Sequence, residues 1–131
     1  MINTSTNTVT ATINVGSGPA GIALSPNGNR AYVTNFTDGT VSVINTTTDA
    51  VTAITLPSGS GPVGVAVSTD GTRVYTANSN NDTVSVINTT NDAVTTITLP
   101  SGSKPVGVAV STDGTRVYTA NFSNSTVSVI G

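Results

Sequence analysis

Apolar and polar residues alternate along this chain in short runs, each closed by a cluster of Asn, Asp, Ser, Thr, Gly or Pro. In "VGVAVS" (63–68), bulky Val63, Val65 and Val67 alternate with Gly64, Ala66 and Ser68. The turn "TDGT" (69–72) follows, with Gly71 free to take positive φ and close a hairpin. A second run, "RVYTAN" (73–78), leads through "SNND" to "TVSVI" (83–87), and "NTTND" leads to "AVTTITL" (93–99). "PSGSKP" then returns the chain to a new first run. A period of two over so few residues, punctuated by turn formers, predicts short antiparallel strands, four to a unit.

The unit repeats. Tyr32, Tyr75 and Tyr118 recur every 43 residues, and so do Ile44, Ile87 and Ile130, while Ile2 precedes Ile44 by 42. Three units follow, over residues 2–44, 45–87 and 88–130 of a single repeat domain spanning 1–131. Segments 45–87 and 88–130 differ at six positions, three of them in the loop 79–82 and its counterpart 122–125. Scaffold is copied and that loop is free to vary.

Four strands in a repeat of about 40–45 residues match a propeller blade. The fold class expected is therefore all-β: β-propeller blades of four antiparallel strands, three blade equivalents, with a circularly offset start at an outer strand. The small face of the first strand fits blades that crowd around an axis, where Gly64 and Ala66 would receive the neighbour's valine side chains. Gly21/Ala23 and Gly107/Ala109 repeat the device. The rival architecture is a β-solenoid, whose coils are commonly shorter and use parallel strands; the Asp-Gly hairpins weigh against it.

Composition narrows the chemistry more than the fold. Thr (26 residues), Val (19) and Asn (14) dominate, which suits pleated surfaces and turns. Only 8% of residues are charged, with a net charge of -2, so there is no basic footprint for nucleic acid or anionic membrane. All six acids are Asp, and Cys and His are absent. Thiolate and imidazole chemistry, disulfides and ordinary zinc sites are excluded with them. No apolar run reaches the length of a membrane span, and "MINTSTNTVT" lacks the basic residue and apolar core of a secretory signal. No cofactor is implied.

The first unit spells Tyr32-Val33-Thr34-Asn35, preceded by "GIALSPNGNRA" and followed by "GTVSVINT". With "PxGxAxSxxGxxxYxxN" and "VTATI", this resembles the YVTN-family β-propeller repeat of prokaryotic surface-layer-type proteins, over essentially the whole chain. The resemblance implies a propeller usually of about seven blades, an extracellular or cell-surface location, and no agreed catalytic residues to carry over. Later units depart from it as Tyr75-Thr76-Ala77-Asn78 and Tyr118-Thr119-Ala120-Asn121. Their outer-strand region also shifts phase relative to "VTATINVGSGP".

"INTSTNTVTATI" aligns with the end of a third strand and the whole of a fourth, while "TVSVIG" ends on a third strand. Three blades are too few to close a ring, and Val-covered faces beside an unpaired strand edge invite association. Two arrangements are expected. In one, identical chains share a ring, six blades from a dimer or nine from a trimer, the N-terminal strand of one chain completing the last blade of another. In the other, the remaining blades belong to a longer array.

Few chemical groups are available to form a site. Asp70 and Asp113, with Asn27 in the first unit, occupy equivalent turns, and their plainer role is to cap the turn rather than act as acid, base or metal ligand. Arg30, Arg73 and Arg116 would form a periodic set able to meet anions, or simply solubilise the surface. The loops after the second strands are more suggestive, and they supply the ligand-binding candidates: Asn35, Phe36 and Asp38; Asn78, Asn80 and Asp82; Asn121, Phe122 and Asn124. An aromatic beside Asn and Asp suits stacking and hydrogen bonding to a sugar or a surface-protein peptide. The alternative is that Phe packs over the adjacent blade and Asn satisfies its own loop.

The function expected is a non-enzymatic structural or binding repeat module. A consensus or designed self-assembling propeller without a biological ligand is a second reading, motivated by the near-identical copies. A lyase-like propeller enzyme is a third, disfavoured because the blades lack His, Cys and Glu and repeat rather than differ.

Overall fold

The computed structural model describes all 131 residues, and every regular element is a strand. A short hairpin of β1 (Ile2–Asn3) and β2 (Thr8–Val9) comes first. The first blade contains β3 (Pro19–Leu24), β4 (Arg30–Asn35), β5 (Thr40–Asn45) and β6 (Val51–Thr55). The second contains β7 (Pro62–Val67), β8 (Arg73–Asn78), β9 (Thr83–Asn88) and β10 (Val94–Thr98). The third has three strands, β11 (Pro105–Val110), β12 (Val117–Asn121) and β13 (Thr126–Ile130). Each blade is an antiparallel meander in chain order, so the fold is all-β with three propeller-blade equivalents.

The blades associate through their faces. Tyr32, Val41, Val43, Ile54 and Leu56 of the first blade bury against Val74 and Ile87 of the second, with Val65, Val67 and Val94 packed on the cluster. Tyr75, Val84, Val86 and Leu99 repeat this against Val117 of the third, joined by Val108, Val110 and Ile130. Each fully buried Val or Ile contributes about 1.5–3 kcal/mol, so these two seams are the core. β3, β7 and β11 run innermost and lie against one another.

Two sequence expectations need correction. The small residues of the inner strand do not receive valine side chains; they receive backbone. A Cβ on Gly21 would strike the Val63 carbonyl oxygen, and one on Gly64 the Val106 carbonyl oxygen. The bulky side of the strand instead faces the preceding blade. The second correction concerns the N-terminal outer strand, of which only Thr8–Val9 forms ladder bonds, because no third strand lies beside the rest.

The N-terminal hairpin nevertheless has the geometry of a blade corner. Ile2 faces Val9 as Ile44 faces Val51 and Ile87 faces Val94. The Asn3 side-chain oxygen accepts the Ser5 N–H at 2.9 Å, as that of Asn45 accepts the Thr47 N–H. Asn7 (φ 55°) is left-handed, like Asp49 (61°) and Asp92 (59°). Beyond it, Ile13 and Val15 cover Ala31, Val33 and Ile44 on the outer face of the first blade.

Candidate functional site

Two sets of connections emerge from opposite ends of each blade. The first-to-second and third-to-fourth strand turns lie at one end. At the other lie the second-to-third strand loops and the passages from one blade to the next. Every candidate binding residue belongs to this second end.

The three Asn residues do not project from it. Asn35, Asn78 and Asn121 are buried at the ends of β4, β8 and β12. The side-chain amide of Asn78 donates to Thr83 Oγ1 at 3.0 Å and Ser85 Oγ at 2.8 Å, and its oxygen accepts the Thr76 hydroxyl at 2.8 Å. Asn121 repeats the set with Thr126, Ser128 and Thr119. Asn35 keeps the two donations, to Thr40 and Ser42, but its oxygen has no partner. Val33 stands where Thr76 and Thr119 stand, and Val has no hydroxyl. In the first unit the threonine has moved one place along the strand, to the opposite face, where Thr34 Oγ1 donates to the Val63 carbonyl at 2.6 Å and accepts the Gly21 N–H at 2.9 Å. The choice between "YVTN" and "YTAN" therefore decides whether one hydroxyl serves its own blade or the seam. The partner residues Ser42, Ser85 and Ser128 were not singled out from sequence. A serine repeated at a buried place inside "TVSVI" was the available signal.

Four of the six carboxylates are occupied too. Asp38 accepts the Ser17 N–H at 2.7 Å, tying its loop to the segment that enters the blade. Asp82, left-handed at φ 55°, accepts the N–H groups of Lys104 (2.6 Å) and Gly102 (2.8 Å) in the passage to the third blade. These bonds, the Lys104 N–H foremost, hold its carboxyl below the usual range. Asp70 and Asp113 are lowered to about 2, first by the hydroxyls of Ser68 and Ser111 and then by the turn N–H groups of Thr72 and Thr115. Asn27 holds its turn in the same manner without a charge, accepting the Ser25 hydroxyl at 2.7 Å.

What remains exposed is a rim. Phe36 is 39% exposed and lies over Gly61 of the next blade, with a ring carbon 3.0 Å from where a Cβ would stand. Phe122, with no blade beyond it, is 78% exposed. Asn80 and Asn124 are exposed beside them, and Asn124 accepts the Thr126 hydroxyl at 2.6 Å. A shallow cavity of about 350 Å3 opens between Ser79, Asn80, Asp82, Gly102, Lys104 and Ser123. At the other end, a polar cavity of about 600 Å3 lies between the turns of the first two blades, with Arg30 and Asp70 in its wall. Sequence reasoning did not anticipate it. At the next seam Thr69 donates to the Thr112 carbonyl at 3.0 Å, a tie that Pro26 cannot make.

The family model described as "Lactonase, 7-bladed beta-propeller" matches residues 2–130. No curated protein matches the chain significantly. Among solved structures, hydrazine synthase from Kuenenia stuttgartiensis is 27% identical with a TM-score of 0.80, over 92% of this chain and 34% of that one. Virginiamycin B lyase from Staphylococcus aureus is 22% identical with a TM-score of 0.79, over 90% of this chain and 39% of that one. A protein from Bacteroides uniformis described as a putative 6-phosphogluconolactonase is 18% identical with a TM-score of 0.69, over 86% of this chain and 40% of that one. The chain thus spans between a third and two fifths of the length of these structures.

Proposed function

We propose that this chain, which belongs to the lactonase family of seven-bladed β-propellers, is a non-enzymatic structural or binding module of the prokaryotic cell-surface type. The observation that carries the reading is the commitment of four of its six carboxylates. Asp70 and Asp113 accept hydrogen bonds from their own turns, and Asp38 and Asp82 from the passages that enter and leave the blades. The three whose carboxyls are lowered stay ionised at neutral pH and are weak bases there. No His, Cys or Glu is present to take over. A virginiamycin B lyase bearing an alanine in place of one histidine is described as catalytically inactive, and this chain has no histidine to offer.

The surface-type reading draws on Tyr32-Val33-Thr34-Asn35 and on a Thr- and Asn-rich, cysteine-free composition. Its ligand-binding part is the exposed rim at Phe36, Asn80, Phe122 and Asn124, where aromatic faces stand beside amides. That chemistry suits a polysaccharide or another surface protein. The test is a turnover screen of the purified protein against lactones and streptogramin B-type cyclic peptides. No turnover is expected above buffer. Turnover that disappears in Asp38→Ala or Asp82→Ala would sink the reading.

A further inference from the structure

The cavity of about 600 Å3 between the first two blades lies at the end of the fold opposite the rim. Its wall comes from the first-to-second and third-to-fourth strand turns of both blades, each of which has its four strands. These turns are also where the first unit departs from the other two. "SPNGN" (25–29) stands where "STDGT" stands at 68–72 and again at 111–115. In the later units the second Thr spends its hydroxyl inside the turn, Thr72 Oγ1 donating to Asp70 Oδ1 at 2.8 Å and Thr115 Oγ1 to Asp113 Oδ1 likewise. Asn29 of the first unit bonds to the turn only through its backbone N–H, and its side-chain amide stays free in the cavity wall.

The polar groups around the cavity are only half spent. Asn27 Oδ1 accepts the Ser25 hydroxyl and the Asn29 N–H, and Asn45 Oδ1 accepts the N–H groups of Thr47 and Thr48, so both side-chain amide nitrogens are left for another partner. Asp70 takes its bonds on Oδ1, from the Ser68 hydroxyl and from the Thr72 N–H and hydroxyl, and Oδ2 accepts none. Arg30 is bonded within the chain through its backbone alone. Tyr32 supplies an observation that owes nothing to the turns. It is 2% exposed, its ring packs in the first seam, and its hydroxyl bonds to nothing in the chain. That hydroxyl is not sealed from solvent, and Tyr32 lines the cavity. A hydroxyl so placed finds its partner in whatever fills the space.

We propose that this seam cavity is a second binding site and that its ligand is a neutral sugar unit. The chemistry of the wall selects it. The free groups of Arg30, Asn27 and Asn45 donate, Asp70 Oδ2 accepts, and the Tyr32 hydroxyl does either. Each sugar hydroxyl both donates and accepts, so neighbouring hydroxyls can meet a guanidinium and a carboxylate at once. Arg30 is the only cation in the wall and Asp70 the only anion, so a phosphate drawn to the first is repelled by the second. Apart from Pro26, Gly71 and the Tyr32 ring the wall is polar, which gives a lipid or an apolar peptide no face to dock on. The volume falls within the roughly 300–1,000 Å3 usual for small-ligand pockets. A single carboxylate makes no acid–base pair, so the sugar is held and not cleaved. The site goes beyond the rim of the proposed function and uses neither Phe36 nor Phe122.

Calorimetric titration of the purified chain with lactose, cellobiose, mannobiose and chitobiose tests this. At least one should bind with a millimolar or tighter Kd. Asp70→Asn keeps the turn, as Asn27 does, and exchanges the accepting Oδ2 for a donor. It should weaken binding by about tenfold or more, and Arg30→Met should do the same. Tyr32→Phe removes a hydroxyl that has no partner in the chain, so it should weaken binding several-fold without lowering the melting temperature. Asp113→Asn, the same change in the third blade's turn, should leave binding unchanged. Failure of all four disaccharides to bind, or binding of inorganic phosphate in their place, would overturn the inference. Sugar binding that survives both Asp70→Asn and Arg30→Met would also overturn it, and would leave the rim reading standing. Turnover in the screen described above would remove the non-enzymatic reading and spare this site.

Discussion

The interior seams and the open ends of this chain use equivalent residues and differ in what stands opposite them. Val41 and Val84 are fully buried while Val127, two repeats on from Val41, faces solvent. Gly64 admits a neighbour's backbone, while a Cβ on Gly107 would meet only the Ala120 methyl at an ordinary 3.6 Å. The buried amides differ for another reason: Asn78 is fully bonded because Thr76 stands beside it, while Asn35 has Val33 there and its oxygen is bare. Burial here belongs to the pair of blades and not to the repeat, so one word of sequence has different energetic weight at different places.

That contrast is most directly broken at the inner strand. Gly64→Ala should cost about 3 kcal/mol or more, because the atom it meets is backbone and cannot rotate away. Gly107→Ala should leave the stability of the single chain nearly unchanged. Urea unfolding of both variants checks this, and equal losses would mean the seam relaxes more than its geometry implies.

The buried amides come next. Asn78→Ala should cost about 2–4 kcal/mol, since it leaves the buried hydroxyls of Thr76 and Ser85 without this partner and removes one bond to Thr83. Asn35→Ala should cost less, having no third bond to lose. Val33→Thr sharpens it further. The new hydroxyl should donate to Asn35 Oδ1 as Thr76 donates to Asn78, for a gain of about 1 kcal/mol at most. Thr76→Val should lose a similar amount.

The smallest effect expected is the pH dependence of the turns. The carboxyls of Asp70 and Asp113 lie at about 2 when folded, against an ordinary 3.8. A lowered folded pKa means the stabilisation is complete above 3.8 and drains away as pH falls toward 2. Both groups are exposed, so the melting temperature should fall by no more than a few degrees from this source. Asn27 shows that an amide can hold the same turn. Asp70→Asn with Asp113→Asn should therefore keep the fold at neutral pH and flatten the loss in acid.

Much of the blade was legible because its signals are local. Alternation in "VGVAVS" and "TVSVI", and the turn at Asp70-Gly71, need only neighbouring residues to act, and strands appear at 62–67, 83–88 and 73–78 accordingly. The candidate site was less legible, for a reason visible in Asn78 and Asp82. A polar residue near a loop reads the same from sequence whether it projects to a ligand or turns inward to its own backbone. Asn35, Asn78 and Asn121 turn inward, and Asp38 and Asp82 staple loops to incoming and outgoing passages. Phe36 and Phe122 both directly follow the repeated Asn, yet Phe36 lies over a neighbouring blade and Phe122 stands exposed.

The sequence by itself determined the unit: four strands, their turns, the period of 43 residues and the poverty of catalytic groups. These follow from alternation, turn chemistry and composition, which act over a few residues or none. Only the tertiary structure decided which face of each strand meets a neighbour, that glycine makes room for backbone, and that a threonine moved by one residue changes sides. Such matters depend on where a second blade lies, and distance along the chain carries no record of it.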